Sequence, residues 1–246
     1  MRLIKINATN STNSFLKELA QNSSLEEYTI AVANTQTSGR GQMNNSWTSE
    51  PYKNLTFSIF THLKKLKIKH QMYLNFAVSL AIYDTLLTYN IPKLCIKWPN
   101  DIMSAEKKIC GILIETTFSH LEIKNTIIGI GLNVNQEKFP KKIFNASSIK
   151  NILKKEIDLE PLMNTIVEKI KYRISSIESG KFSQTHKEYH EALYKRGIPT
   201  AFIDKKTKLL FMGIISGVSS IGNLQIQLED DTIVKYGLKE ISFAKV

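Results

Sequence analysis

The sequence predicts a chain in two parts, with helices and strands mixed up to about residue 195 and a small all-β barrel after it. Three observations carry this. Helix-spaced apolar residues recur at Phe15, Leu16, Leu19 and Ala20 and again along 71–89. Alternating apolar runs lie between the helical stretches, as at 54–63. After Gly197-Ile198-Pro199 the texture changes to short β-rich runs separated by Asp204-Lys205-Lys206, by 219–223 and by Asp230-Asp231, the pattern of a small barrel.

From the N-terminus, a short apolar-polar segment leads into Thr9-Asn10-Ser11-Thr12-Asn13, whose side chains suit the N-cap of the helix that follows. Residues 28–34 read as a strand and 35–51 as a polar, glycine-containing loop. The strand at 54–63 places Leu55, Phe57 and Ile59 on one face, with Thr56, Ser58 and Thr61 on the other. Residues 71–89 form the clearest amphipathic helix, with Tyr73, Phe76, Ala77, Leu80 and Leu87 near one stripe. Residues 94–98 and 109–118 read as strands around a polar turn, and 121–134 as a strand pair or one long bent strand. Asp158 caps a helix over 158–179 with Pro161 in its first turn. A further helix covers roughly 182–194. The domain boundary falls between 1–194 and 195–246.

The 246 residues suffice for one large domain or a large and a small one. With 33 Lys and Arg against 22 Asp and Glu, the net charge is +11, which suits nucleic acid, acidic proteins or small anions without choosing among them. Cys95 and Cys110 are too far apart for a Cys-x-x-Cys motif, and both sit in apolar runs as buried thiols would. No secretory apolar region follows Met1, and no apolar run approaches bilayer length. A cytoplasmic protein with no membrane partner is expected.

Three constellations bear chemistry. In Gln36-Thr37-Ser38-Gly39-Arg40-Gly41-Gln42, ahead of Trp47, two glycines let backbone approach a ligand while the guanidinium reaches an anion. Taken alone, it also reads as a surface loop. In Lys97-Trp98-Pro99-Asn100-Asp101, followed by Lys107-Lys108-Ile109-Cys110-Gly111, a β-turn-β arrangement brings Lys97, Asp101 and Lys108 together. A carboxylate attacking a phosphate needs such a set: lysines screen the repulsion and an acid helps to hold Mg²⁺. Composition alone still favours an ordinary polar hairpin. In Gly129-Ile130-Gly131-Leu132-Asn133, small residues let a ligand lie against backbone with Asn133 bonding it, although a bulge or a tight sheet crossing asks for the same glycines. Val134 stands where a dinucleotide fingerprint needs its third glycine, and no phosphate loop occurs. His186 and His190 read as solvated helix residues, because Lys187 occupies the place of the zinc-protease Glu. The basic run 64–70 reads as a solvated turn, with contact to an acidic carrier surface as the alternative.

In order and spacing, these motifs resemble the biotin–protein ligase family along nearly the whole chain. The match runs through Ser11-Thr12-Asn13, 36–47, 97–111, 129–133 and the β-rich tail, and Lys-Trp-Pro-Asn-Asp with a lysine seven residues after its Asp is the most specific part. The resemblance implies an α+β catalytic domain, a mixed sheet with helices on one side, and a C-terminal SH3-like barrel. It implies formation of biotinyl-5′-AMP from biotin and Mg-ATP, then transfer of biotin to a lysine of a carboxylase's biotin carrier domain. Lys108 and Arg40 become the candidate catalytic residues. Ser11, Thr12, Asn13, Gln36, Gly39, Gly41, Gln42 and Gly111 fall on the substrate side. Asn100, Asp101, Asn133, Trp47 and Lys97 fall on the nucleotide or metal side, with Asp101 as the metal candidate and Lys97 supporting the turn. Biotin, ATP and the carrier domain are the implied partners; a homodimer is compatible with the family, and DNA is not expected because no helix-turn-helix precedes the first strand.

The loop departs from the common Gly-Arg-Gly-Arg-x-Gly by carrying Gln42 and Asn44. Loss of one charge-assisted contact would weaken retention of the intermediate by about 1.5–3 kcal/mol. Alternatively, Asn44 holds the turn, since Asn tolerates positive φ. A lipoate or octanoate ligase or transferase of the same fold, a basic nucleic-acid-binding protein and an inactive biotin-binding module are the competing readings.

Overall fold

A computed structural model of the chain describes residues 2–244 other than 64, 65, 121, 142 and 144, and the backbone but not the side chain of Asn44. Its first part runs β1 (Leu3–Thr9), α1 (Thr12–Asn22), β2 (Thr29–Gln36), β3 (Leu55–His62), α2 (Gln71–Leu87), β4 (Leu94–Lys97), β5 (Asp101–Ser104), β6 (Lys107–Ser119) and β7 (Glu122–Leu132). Together the strands form a seven-stranded sheet in the order β1-β2-β3-β7-β6-β5-β4. The β1–β2 pair is parallel and the other pairs are antiparallel, so the sheet is mixed.

Helices α3 (Ile149–Leu153), α4 (Leu159–Glu178) and α5 (Phe182–Glu191) follow. Then β8 (Pro199–Asp204), β9 (Leu210–Val218), β10 (Leu224–Gln227), β11 (Ile233–Tyr236) and β12 (Ile241–Phe243) make a second antiparallel sheet in the order β11-β10-β9-β8-β12. The mixed sheet with helices and the all-β tail are therefore as the sequence implied. Among the described residues, no helix is long and apolar enough to cross a membrane.

Several expectations needed revision. The helices do not all pack on one side. One face of the large sheet, through Ile30, Leu55, Phe57 and Ile59, meets α2 and α4 in the main core. The other face, through Ala31, Phe60 and Ile127, meets Leu16 of α1. β3 is consequently buried on both faces, and Thr56, Ser58 and Thr61 do not see solvent. Helix α2 is not amphipathic but surrounded: eleven of its residues are buried, including Val78, Ile82 and Leu86, whereas Leu87 of the expected stripe is exposed. Of the two readings of 121–134, the single long strand is the one found, as β7. Between 94 and 118 the chain makes three strands, because β5 is too short to read as a separate run. The N-cap at Asp158 is as expected, its carboxylate accepting from Glu160 N–H.

His186 and His190 are half-buried rather than free in solvent. Val218 N–H donates to His190 Nε2 at 2.9 Å, and His186 Nε2 lies 2.7 Å from Val218 O, so both rings of α5 dock the edge of β9. The second sheet shares one continuous core with the first through Phe202, Ile215, Val218 and Leu224. Arg173 of α4 ties the helical layer together by pairing with Asp84 of α2 at 2.6 Å and with Glu188 of α5. Cys110 is buried, while Cys95 is only half-buried and its thiol is pushed up to about 11, chiefly by burial. In the basic run, Lys64 and Lys65 lie outside the described residues, Leu66 is buried and Lys67 and Lys69 are exposed.

Candidate active site

Antiparallel register places Lys97, Asp101, Gly111, Gly131 and Thr56 side by side on β4, β5, β6, β7 and β3. Residues directly opposite in a sheet point to the same face. This row therefore runs two ionic side chains, two glycines and a hydroxyl across five strands. The neighbouring row is Leu113, Gly129 and Ser58.

The glycines are a floor. A Cβ on Gly131 would lie 2.7 Å from Trp47 Nε1 and nearer still to the indole carbons. A Cβ on Gly129 would lie 2.9 Å from Asn13 Cγ. Trp47 and Asn13 thus lie directly against backbone, and any side chain on these strands would lift them. The sequence anticipated close approach here; what approaches is two of the protein's own side chains.

Lys108 reaches this face through a bulge. The pairing of β5 with β6 shifts between Ile102 and Met103, so that Ile109 and Cys110 both turn into the core and are fully buried. The extra residue moves Lys108 from the parity of Cys110 to the cleft side. Its Nζ sits 2.6 Å from Asp101 Oδ1 and 5.6 Å from the centre of a Trp47 ring. Lys97, Asp101 and Lys108 do come together, by way of a three-stranded meander. Asn100 fixes the turn, donating from Nδ2 to Ile112 O at 2.6 Å and accepting from Ile112 N–H at 3.0 Å. Trp98 Nε1 donates to Gly222 O at 2.9 Å, which ties the turn to the second sheet. The Lys97 amine lies 4.8 Å above the Phe243 ring, and burial holds its pKa below the usual lysine range although Asp101 pulls it up.

At the α1 end, Ser11 stands at the N-cap but its hydroxyl makes no cap bond. Gln36, the last residue of β2, caps the helix instead: its Oε1 accepts from Thr12 N–H at 2.8 Å and from Thr12 Oγ1 at 3.1 Å. Ser58 Oγ lies 2.6 Å from both Thr12 Oγ1 and Asn13 Oδ1, so its one proton is divided between two acceptors. Asn13 Nδ2 in turn donates to Glu115 Oε2 at 2.8 Å. Ser11, Thr12 and Asn13 are each 3% exposed, so this is a buried polar wall.

The segment 39–47 is a small hairpin. Trp47 N–H donates to Gly39 O at 2.8 Å and Gly41 N–H to Asn45 O at 2.7 Å, around a 3-10 turn at Gln42–Asn44. A positive φ in this turn falls on Met43, at 55°. Arg40 reaches across to Glu115, with Nη2 to Oε2 at 2.7 Å.

These residues enclose a cleft of about 1160 Å³. Ser11, Thr12, Asn13, Gln36, Arg40, Gly41, Gln42, Trp47, Lys97, Asn100, Asp101, Lys108 and Gly111 all line it. Two predicted residues do not. Gly39 lies at the hairpin base, and Asn133 is buried at 3% exposure, its Nδ2 donating to Ser147 O at 3.0 Å. Sequence reasoning missed Thr56, Lys195, Lys239 and Phe243 in the lining, and Glu115 beside it. Six cationic side chains line the cleft (Arg40, Lys97, Lys107, Lys108, Lys195 and Lys239) against the carboxylates Asp101 and Glu106. Cations thus outnumber carboxylates in the lining, which suits a polyanion. Two donors there, Trp47 Nε1 and Thr56 Oγ1, are buried with no hydrogen-bond partner among the described residues.

Such a cleft, with a buried polar wall at one end and clustered cations at the other, suits a small polar molecule lying beside a polyanion. Residues 6–133 match the model of the Biotin/lipoate A/B protein ligase family, and the chain belongs to that family. Similar relatives include the bifunctional ligase/repressor BirA of Bacillus spizizenii, 27% identical over 99% of this chain and 73% of its own length. The biotin--[acetyl-CoA-carboxylase] ligase of Mycobacterium tuberculosis is 28% identical over 52% of this chain and 47% of its own. The solved structure of the Aquifex aeolicus biotin protein ligase in complex with biotin and ATP superposes with a TM-score of 0.82 at 25% identity, covering 100% of this chain and 99% of that one.

Proposed function

We propose that this chain is an ATP-dependent biotin–protein ligase that forms biotinyl-5′-AMP and passes biotin to a lysine of a carboxylase's biotin carrier domain. The observation that carries the reading is the placement of Lys108. The bulge sets its amine on the glycine floor, between the polar wall of Thr12, Asn13 and Gln36 and the cationic end at Lys97. The likeness to ligases bound to biotin and ATP supports the same assignment.

In this reading, biotin's polar ring is held by the wall at Ser11, Thr12 and Gln36, and its chain passes Trp47 over Gly131. Its carboxylate then meets the α-phosphate of ATP beside Lys108, whose charge screens two negative groups from each other as the new P–O bond forms and pyrophosphate leaves. Lys97 adds charge at the same end of the row. Trp47 and the 39–47 hairpin keep water from the mixed anhydride until the carrier amine attacks its carbonyl and AMP departs. No covalent bond to the enzyme is needed.

A magnesium ion would neutralise phosphate charge. The described residues contain no cluster of three or more His, Cys, Asp or Glu side chains, and Asp101 is already paired with Lys108. That donor set fits an ion carried mainly by the phosphates, with Asp101 as its single carboxylate contact.

Lys108→Ala tests the reading. Biotin-dependent pyrophosphate release should fall by at least about 10²-fold, the usual cost of one group that stabilises developing charge, with the melting temperature little changed because the side chain is partly exposed. Near-normal release by a folded variant would overturn it.

A further inference from the structure

Two polar hydrogens in the cleft have nothing to bond. Thr56 Oγ1 and Trp47 Nε1 are buried without a hydrogen-bond partner among the described residues, and both side chains line the cleft. Thr56 is 3% exposed. Ser58, two residues along the same face of β3, has two acceptors at 2.6 Å, so the strand itself does not deny its hydroxyls partners. An unpaired buried donor costs stability, and one that persists in a cleft marks a place for a ligand atom.

The two donors are neighbours. Thr56 pairs with Gly131 across β3 and β7, and Cβ positions directly opposite in a sheet lie about 4.5–5.5 Å apart. Trp47 Nε1 lies 2.7 Å from the Cβ that Gly131 lacks, whereas Cζ3, at the far edge of the indole, lies 3.1 Å from the Cβ that Gly111 lacks. The ring therefore lies along the row with its nitrogen edge on the Thr56 side. Lys108 Nζ is 3.2 Å from the same Gly111 position, at the other end. Two strand spacings, about 9–10 Å, separate Lys108 from Thr56. That is the span of an acyl phosphate with a hydrogen bond at each end.

We infer that Thr56 Oγ1 and Trp47 Nε1 together hold the carbonyl oxygen of the acyl-adenylate, which makes Thr56 a catalytic residue of the transfer step. Lys108 takes the phosphate end of the same group. As the carrier amine forms its bond to the carbonyl carbon, the carbonyl electron pair moves onto the held oxygen. The pair returns as the C–O bond to AMP breaks; AMP leaves with the bonding electrons, and the ammonium proton passes to water. Donors fixed in place before that charge develops need no reorganisation, and each is worth about 10²–10³-fold in rate.

This inference rests on the biotin-ligase reading, so the test separates the two. Calorimetry measures binding of two analogues to the wild type, T56V and T56S. Biotinyl-sulfamoyl-adenosine keeps the carbonyl oxygen; in the biotinol phosphodiester of adenosine a CH₂ group replaces the carbonyl. T56V should bind the first about three- to tenfold more weakly and the second within about twofold of wild type. T56S keeps the hydroxyl and should match wild type towards both. Transfer from bound biotinyl-AMP to the biotin carrier domain of an acetyl-CoA carboxylase should slow about 10²-fold in T56V. Its melting temperature should rise by about 2–4 °C, because an isostere removes an unpaired hydroxyl. If T56V does not fold, W47F decides, since it deletes the other donor and must weaken the carbonyl analogue more than the carbonyl-free one. Equal losses for the two analogues, or none, overturn the carbonyl site. If the wild type binds both and T56V is unchanged, the functional reading stands alone. A wild type that binds neither removes both.

Discussion

The glycine floor makes a sharp prediction. In Gly131→Ala the new methyl carbon would sit 2.7 Å from Trp47 Nε1 and closer to the ring carbons, where ordinary carbon contacts begin near 3.5 Å. The indole must therefore retreat by about 1 Å, and a misplacement of that size at reacting groups costs on the order of 10²-fold in rate. Stability should change little: Trp47 belongs to a partly exposed hairpin that can move, and alanine is no worse than glycine in a strand. The assay is biotin-dependent ATP–pyrophosphate exchange alongside a thermal melt. Gly41→Ala is the control, because its Cβ would meet Asn45 O at 3.3 Å, a contact that a small shift relieves. Activity should fall roughly 10²-fold in Gly131→Ala and less than about threefold in Gly41→Ala. Equal activities for the two variants, both folded, would refute it.

Two further predictions concern stability. His190 Nε2 lies 2.9 Å from both the N–H and the O of Val218, and burial, then the neighbouring His186 and Arg196, hold its pKa below the ordinary value of 6.5 despite the pull of the Val218 backbone. The unfolded chain then binds more protons, so this contribution is complete above about pH 6.5 and is lost as pH falls through the folded value. Melting temperature should drop below pH 6.5 in the wild type and drop less in His190→Gln, whose amide oxygen can accept without titrating; parallel curves would contradict the sign. Arg173→Ala should destabilise the chain by about 3 kcal/mol, read from the urea midpoint, because it strands the carboxylates of Asp84 and Glu188. A loss below about 0.5 kcal/mol would mean that the pairs are solvated.

How much of this was legible in the sequence depended on whether the signal was local. Helix α4 was readable because its cap, its Pro161 and its apolar period lie within one stretch. The cluster of Lys97, Asp101 and Lys108 was readable because a short meander brings near neighbours together. The bulge that aims Lys108 left no mark beyond two adjacent buried residues, Ile109 and Cys110. Thr56 belongs to the active row only through the pairing of β3 with β7, which no spacing within β3 reveals. Glu115 had a signal that was passed over: a charge inside an apolar strand, at the parity of Gly111. Gln36 was expected as a ligand contact but also caps α1, and the polar run at 9–13 suggested a cap from its own side chains. His186 and His190 looked solvated because the sheet edge they dock lies about thirty residues further along the chain.

The central claim is that one cleft joins biotin to AMP. Incubating the protein with ATP, Mg²⁺ and either biotin or lipoate, and then identifying the acyl-adenylate by mass spectrometry, tests it most directly. The wild type should yield biotinyl-5′-AMP, Lys108→Ala little or none, and neither a comparable amount of lipoyl-AMP. Lipoyl-AMP as the main product would move the chain to the other branch of its family, and no adenylate from either acid would contradict the claim altogether.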